Sequence, residues 1–208
     1  MAVSKTFPAS AVRAAHVAGQ VIFGESYLQE ALDKQSALAD LKLEWHFIGP
    51  IQSNKTRPIA EHFQWVHSID RDKVARRLSD QRPAHLPPLD VCIQVNISGE
   101  ASKSGIDPEQ ALALAQGVAA LPRLRLRGFM AIPEPSPDQA LRRARFNSLS
   151  RLLDQARRQG MAVDTLSMGM SDDLEDAIRE GATIVRVGSA IFGARDYSNS
   201  TPTTEHRL

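Results

Sequence analysis

A lysine that closes a short apolar run is an amine held partly away from water, where it gives up its proton readily enough to attack a carbonyl. Ala2-Val3-Ser4-Lys5-Thr6 is such a run, and Phe7-Pro8 and a helical pattern through Gly19 follow it at once. Toward the other end of the chain, Ser167-Met168-Gly169-Met170-Ser171 places two hydroxyl residues around a glycine just before a helix start. Arg186 and Gly188-Ser189 precede another, Ala190-Ile191-Phe192-Gly193. Turns of this kind aim backbone N–H groups and hydroxyls at an anion. An amine facing two such turns points to a phosphorylated ligand that carries an aldehyde. Each feature alone also has a plain reading, since most lysines are solvated and most such turns only cap helices. Lys55 and Lys103 also follow strand-like runs but sit in polar loops, so Lys5 is the candidate amine.

What must position these groups is a repeating scaffold. Eight short apolar runs, at 2–5, 21–24, 43–49, 65–69, 91–96, 124–132, 165–169 and 184–188, alternate with longer amphipathic stretches. They lack polar alternation, which predicts parallel strands covered on both faces, and eight units predict closure into a (β/α)8 TIM barrel. In a closed barrel the eighth strand lies beside the first, so Arg186 and Gly188-Ser189 become neighbours of Lys5. An open doubly wound sheet is the rival, but neither G-x-G-x-x-G nor G-x-x-x-x-G-K-[ST] occurs. Asp107-Pro108-Glu109-Gln110 predicts a capped helix start, and Ser171-Asp172-Asp173 predicts another that closes at Arg179 and Gly181. Phe146, Leu149, Leu152, Leu153 and Ala156 form one apolar stripe, and the arginines around it read as a solvated face.

Composition bounds the function. With 208 residues, 42% hydrophobic and 24% charged, one domain is expected over 1–197, with a polar, disordered tail at 198–208. A net charge of +1 gives no global pull toward nucleic acid or membrane. No apolar run approaches the about 18 residues of a membrane span, and no secretory leader is evident at Met1. The single cysteine, Cys92, lies in an apolar run and reads as a buried hydrophobe, in keeping with a cytoplasmic protein. The six histidines show no metal-ligand spacing, and His46, inside a strand pattern, reads as a satisfied core residue rather than a proton shuttle.

Several longer motifs then come into line. Ala2-Val3-Ser4-Lys5-Thr6, His46-Phe47-Ile48-Gly49-Pro50-Ile51-Gln52-Ser53-Asn54-Lys55, Asn96-Ile97-Ser98-Gly99-Glu100 with Ser102-Lys103-Ser104-Gly105, Ser167-Met168-Gly169-Met170-Ser171-Asp172-Asp173 and Arg186-Val187-Gly188-Ser189-Ala190-Ile191-Phe192-Gly193 stand in this order along nearly the whole chain. On these motifs the chain resembles the pyridoxal phosphate homeostasis proteins, also called the YggS/PROSC family, related in fold to the barrel domain of alanine racemase. The resemblance implies a fold-type III barrel binding pyridoxal 5′-phosphate (PLP) as an internal aldimine on Lys5. Ser167, Gly188 and Ser189 would hold the phosphate, Arg186 would bond the pyridine nitrogen, Ile48 and Met130 would wall the ring, and Met168 would also belong to the cofactor site. Ser26 stands in Gly24-Glu25-Ser26-Tyr27 where the family reads Gly-Glu-Asn-Tyr, which removes the asparagine contact or hands it to a bridging water. Family members also carry a helix ahead of the lysine motif, so a shortened first strand is expected here.

Arginine stays protonated, so Arg186 would leave the pyridine nitrogen without a proton and make the cofactor a poor electron sink. A racemase also needs an opposing acid/base, which a second domain supplies in alanine racemase, whereas this chain offers only Tyr27 and Tyr197. The expectation is therefore a non-catalytic, monomeric carrier that stores, buffers or delivers PLP, with enzymes lacking PLP as possible acceptors. The alternatives are a PLP enzyme with weak racemase or transaminase activity, and a phosphosugar barrel enzyme.

Overall fold

β-Branched and aromatic residues dominate the short runs, and such runs form strands when both faces are buried. In a computed structural model of the protein, residues 1–99 and 104–194 are described. Lys103, Tyr197, the end of the expected domain and the expected tail lie outside them. The elements alternate as β1 (Ala2–Val3), α1 (Ala9–Val17), β2 (Ile22–Glu25), α2 (Leu28–Ala37), β3 (Glu44–Phe47), α3 (Thr56–His62), β4 (Trp65–Ile69), α4 (Asp72–Gln81), β5 (Leu89–Gln94), α5 (Pro108–Ala119), β6 (Leu124–Met130), α6 (Gln139–Arg158), β7 (Thr165–Ser167), α7 (Leu174–Arg179) and α8 (Ser189–Phe192). Every residue of β4, β5 and β7 is buried.

The strands form one parallel sheet in sequence order, a curled half-barrel with Phe23 beside Trp45, Val66 beside Val91 and Phe129 beside Leu166. One face carries Phe47, Val66, Val91, Ile93 and Leu166 into the core shared with the helices, where Val12, Ile59, Leu78, Ala115 and the α6 stripe from Phe146 to Ala156 pack. The inner face is more polar. It holds the hydrogen-bonded His46, His67 and Ser167 beside a small cluster of Trp65, Cys92 and Met130.

The expectation of eight strands is corrected to seven among the described residues. The eighth run changes partner midway: Ile184 bridges Ser167 of β7, and Val187 bridges Ala2 of β1. Met168 N donates to Ile184 O at 3.1 Å on one side, and Val3 N donates to Val187 O at 2.8 Å on the other. Each neighbour contributes a single bridge, so the run holds both edges without becoming a strand.

Two helix starts, those of α5 and α6, follow side-chain caps. The Asp107 side chain accepts from Glu109 N, with Pro108 in the first turn, and that of Asp138 accepts from Ala140 N and Leu141 N. The expected start at Ser171 moves to Leu174, because Asp173 Oδ1 accepts from Met170 N at 2.6 Å and folds 170–173 into a turn first. Gly181, at φ +94°, ends the segment as expected. Around α6 the basic face is partly paired: Arg142 meets Asp176 at 2.8 Å and Arg143 meets Glu180 at 2.7 Å.

Candidate functional site

Lys5 follows β1 in a segment gripped on both sides. Lys34 of α2, 5% exposed, donates to Ser4 O at 2.6 Å, Glu25 Oε1 at 2.8 Å and Glu30 Oε1 at 2.5 Å. Ser4 Oγ donates to Glu25 Oε1 at 2.6 Å, and Thr6 N donates to Glu30 Oε1 at 2.6 Å. Burial pushes the Glu25 carboxyl above its usual range, against the pull of Lys34 and Ser4. Thr6 takes φ +70°, a left-handed conformation rare for a β-branched residue. The backbone before and after Lys5 is therefore held by one cluster of charged side chains.

Six of the nine residues nominated from the sequence share one cavity of about 460 Å³: Lys5, Ser26, Ile48, Arg186, Gly188 and Ser189. Met170, Ser171, Tyr27 and Ile132 also line it and were not nominated. Ser189 Oγ lies 3.4 Å from Ser171 Oγ, so the two anion-type turns converge as their spacing suggested. Gly49 meets the wall without a side chain, because a Cβ there would stand 2.1 Å from Ser26 O. Lys55, exposed, does not line the cavity.

The other three nominated residues are not among those lining the cavity. Ser167, Met168 and Met130 are fully buried. Ser167 is the last residue of β7 and points to the inside of the curl, where its Oγ lies 2.8 Å from His67 Nδ1 and 2.9 Å from Arg186 Nη1. Ser171 is the serine of that motif that reaches the cavity. The signal that could have separated them is Gly169, at φ +91°, which turns the chain between the two hydroxyls.

Arg186 is 3% exposed. It donates to Ser167 O at 2.7 Å and Ala131 O at 2.8 Å as well as to the Ser167 hydroxyl, and it borders the cavity. Burial pulls its pKa down to about 10, which still leaves the guanidinium charged at neutral pH. Behind it, His46 Nδ1 lies 2.8 Å from His67 Nε2, and His46 Nε2 lies 2.8 Å from Glu44 Oε1. His46 is thus the satisfied core histidine its strand position suggested. Cys92 is buried in apolar surroundings that push its thiol up, out of nucleophilic use. Among the described residues there is no group of three or more metal-type side chains, and no helix is long and apolar enough to cross a membrane.

The sequence profile described as "Alanine racemase, N-terminal domain" matches residues 1–196. A Pseudomonas aeruginosa protein named pyridoxal phosphate homeostasis protein is 68% identical over 197 residues, covering 95% of this chain and 84% of its own. Among solved structures, PipY of Synechococcus elongatus without PLP superposes with a TM-score of 0.87 at 39% identity, covering 92% of this chain and 91% of PipY. PipY with PLP bound gives 0.85 at 38% identity, covering 93% and 91%.

Proposed function

Because the chain belongs to the pyridoxal phosphate homeostasis family, within the alanine racemase N-terminal-domain group, we propose that it binds PLP in the Lys5 cavity and serves to hold and hand on that cofactor rather than to turn over substrate. The observation that carries this reading is the convergence of Lys5, Arg186 and the Ser171 and Gly188-Ser189 turns on one cavity.

The residues fit the group. A volume of about 460 Å³ lies within the usual range for small-ligand sites. At one end an amine is offered, and elsewhere two hydroxyls and a backbone turn offer donors to a phosphate. When bound, PLP supplies an aldehyde and a conjugated pyridine ring. The Lys5 amine is the group that condenses with that aldehyde. Ser171, Gly188 and Ser189 hold the phosphate, and Ile48 with Ile132 covers the ring. Arg186 donates toward the pyridine nitrogen and, being charged, gives it no proton, which weakens the ring as an electron sink. That arginine supports the carrier reading, which agrees with the name the relatives carry. We further read 184–187 as the staple that closes the half-barrel into an eight-membered one, bringing Arg186 to Lys5. Monomeric, cytoplasmic operation and hand-over to enzymes lacking PLP complete the proposal.

The test pairs binding with turnover. Titration with PLP should raise a visible absorption band in the wild type and none in Lys5→Ala, with no steady racemisation or transamination of alanine or serine. Turnover that Lys5→Ala abolishes would replace the carrier with an enzyme.

A further inference from the structure

The hydrogen bonds behind Arg186 run in one direction only. Arginine has donors and no acceptor, so where Arg186 Nη1 meets Ser167 Oγ at 2.9 Å the hydroxyl oxygen accepts. The hydroxyl then has its own hydrogen to place, and His67 Nδ1 lies 2.8 Å away. That nitrogen accepts it when both rings are neutral, because the Glu44 carboxylate at the far end only accepts and so requires the hydrogen of His46 on Nε2. A neutral His67 has its hydrogen on Nε2, 2.8 Å from His46 Nδ1, which in turn must accept. His46 then carries its hydrogen on Nε2 and donates to the Glu44 carboxylate at 2.8 Å. Each donor in the series points away from Arg186, and the series ends at a half-exposed acid at the start of β3. Full burial of His67 beside the Arg186 cation keeps it neutral, as this polarity requires.

We propose that His67 and His46 are positioning residues for Arg186: through Ser167 they fix the guanidinium edge that faces the ring nitrogen of PLP. This rests on the cofactor reading above, and it assigns Ser167 to Arg186 rather than to the phosphate. The two histidines touch no ligand, and their effect reaches the cavity through one hydroxyl.

The test uses two ligands on the full chain, PLP and its 1-deaza analogue, in which C–H replaces the ring nitrogen and the aldehyde and phosphate remain. Wild type prefers PLP. In His67→Leu and in Ser167→Ala, PLP affinity falls by about tenfold, as for a displaced hydrogen bond to a charged group, while affinity for the analogue is unchanged, so the preference collapses. Equal loss for both ligands, or no loss for either, would overturn the assignment, and Ser167→Ala keeps the test open should His67→Leu not fold. Imidazole 15N spectra of the unliganded protein supply the second readout: both rings carry hydrogen on Nε2, and a hydrogen on either Nδ1 overturns the series. A wild type that binds neither ligand covalently, or shows no preference between them, would instead fault the cofactor reading or the role of Arg186, and the 15N spectra would still decide the series.

Discussion

As Ser167 holds the guanidinium of Arg186 at one side of the cavity, Lys34 holds the backbone from which Lys5 projects at another. Its ammonium is the cation at 2.8 Å from Glu25, a carboxylate with no measurable exposure. Removing one partner of a buried pair leaves the other charge uncompensated, at a cost of about 3–5 kcal/mol. Lys34→Ala should therefore lower the melting temperature sharply and weaken PLP binding, whereas Lys34→Ala paired with Glu25→Gln should recover part of the stability. A melting temperature unchanged in the single variant would contradict this. The sequence was informative where a side chain stands just past a strand, as Lys5 does after β1. It left the choice open where two like residues straddle a turn. Ser167 and Ser171 are equivalent in a linear motif, and the left-handed Gly169 sends one inward and the other to the cavity. The Lys34 clamp was not legible, because its partners come from β2, α2 and the segment after β1, and nothing in their spacing pairs them.

Elements meet the cavity through close backbone approach. The turn after β3 passes so near Ser26 that a Cβ on Gly49 would lie 2.1 Å from its carbonyl oxygen. Gly49→Ala should push the Ser26 segment outward, costing about 1–3 kcal/mol of stability by overpacking and reducing PLP affinity as well. Urea unfolding and PLP titration of the same sample check both, and an unchanged midpoint with unchanged affinity would count against the contact. Strand positions were readable because buried parallel strands are short, mostly apolar runs without strict alternation, as Val91-Cys92-Ile93 of β5 shows. The eighth run reads the same way, yet it makes one bridge to β7 and one to β1 instead of a ladder with either, a division between two partners that an apolar run does not announce. Likewise α7 starts at Leu174 because Asp173 bonds back to Met170, a choice that the acidic Ser171-Asp172-Asp173 string leaves open.

Over the whole molecule, the polar interior sets how stability responds to acid. Burial holds both His46 and His67 below the ordinary histidine value of 6.5, and Glu44 pulls His46 partway back. The sign follows from linkage: the unfolded chain takes up protons below 6.5 that the native histidines refuse, so the stability they contribute is full above that pH and is lost as pH falls toward their native values. Each contributes a slope of up to about 1.4 kcal/mol per pH unit. Glu25, with its carboxyl raised, works in the opposite sense at lower pH. The melting temperature should drop between pH 6.5 and 5, more steeply in wild type than in His67→Asn, and equal slopes would contradict the neutral pair. The same architecture that buries these rings brings the two ends of the chain together at Val3 and Val187, which is what sets Arg186 near Lys5. That convergence makes Lys5 the expected point of PLP attachment. Borohydride reduction of the protein with PLP, followed by peptide mass mapping, tests it most directly. A reduced adduct on the peptide containing Lys5, lost in Lys5→Ala, is the expected result; an adduct confined to Lys55 or Lys103, or none at all, would rule out attachment at Lys5.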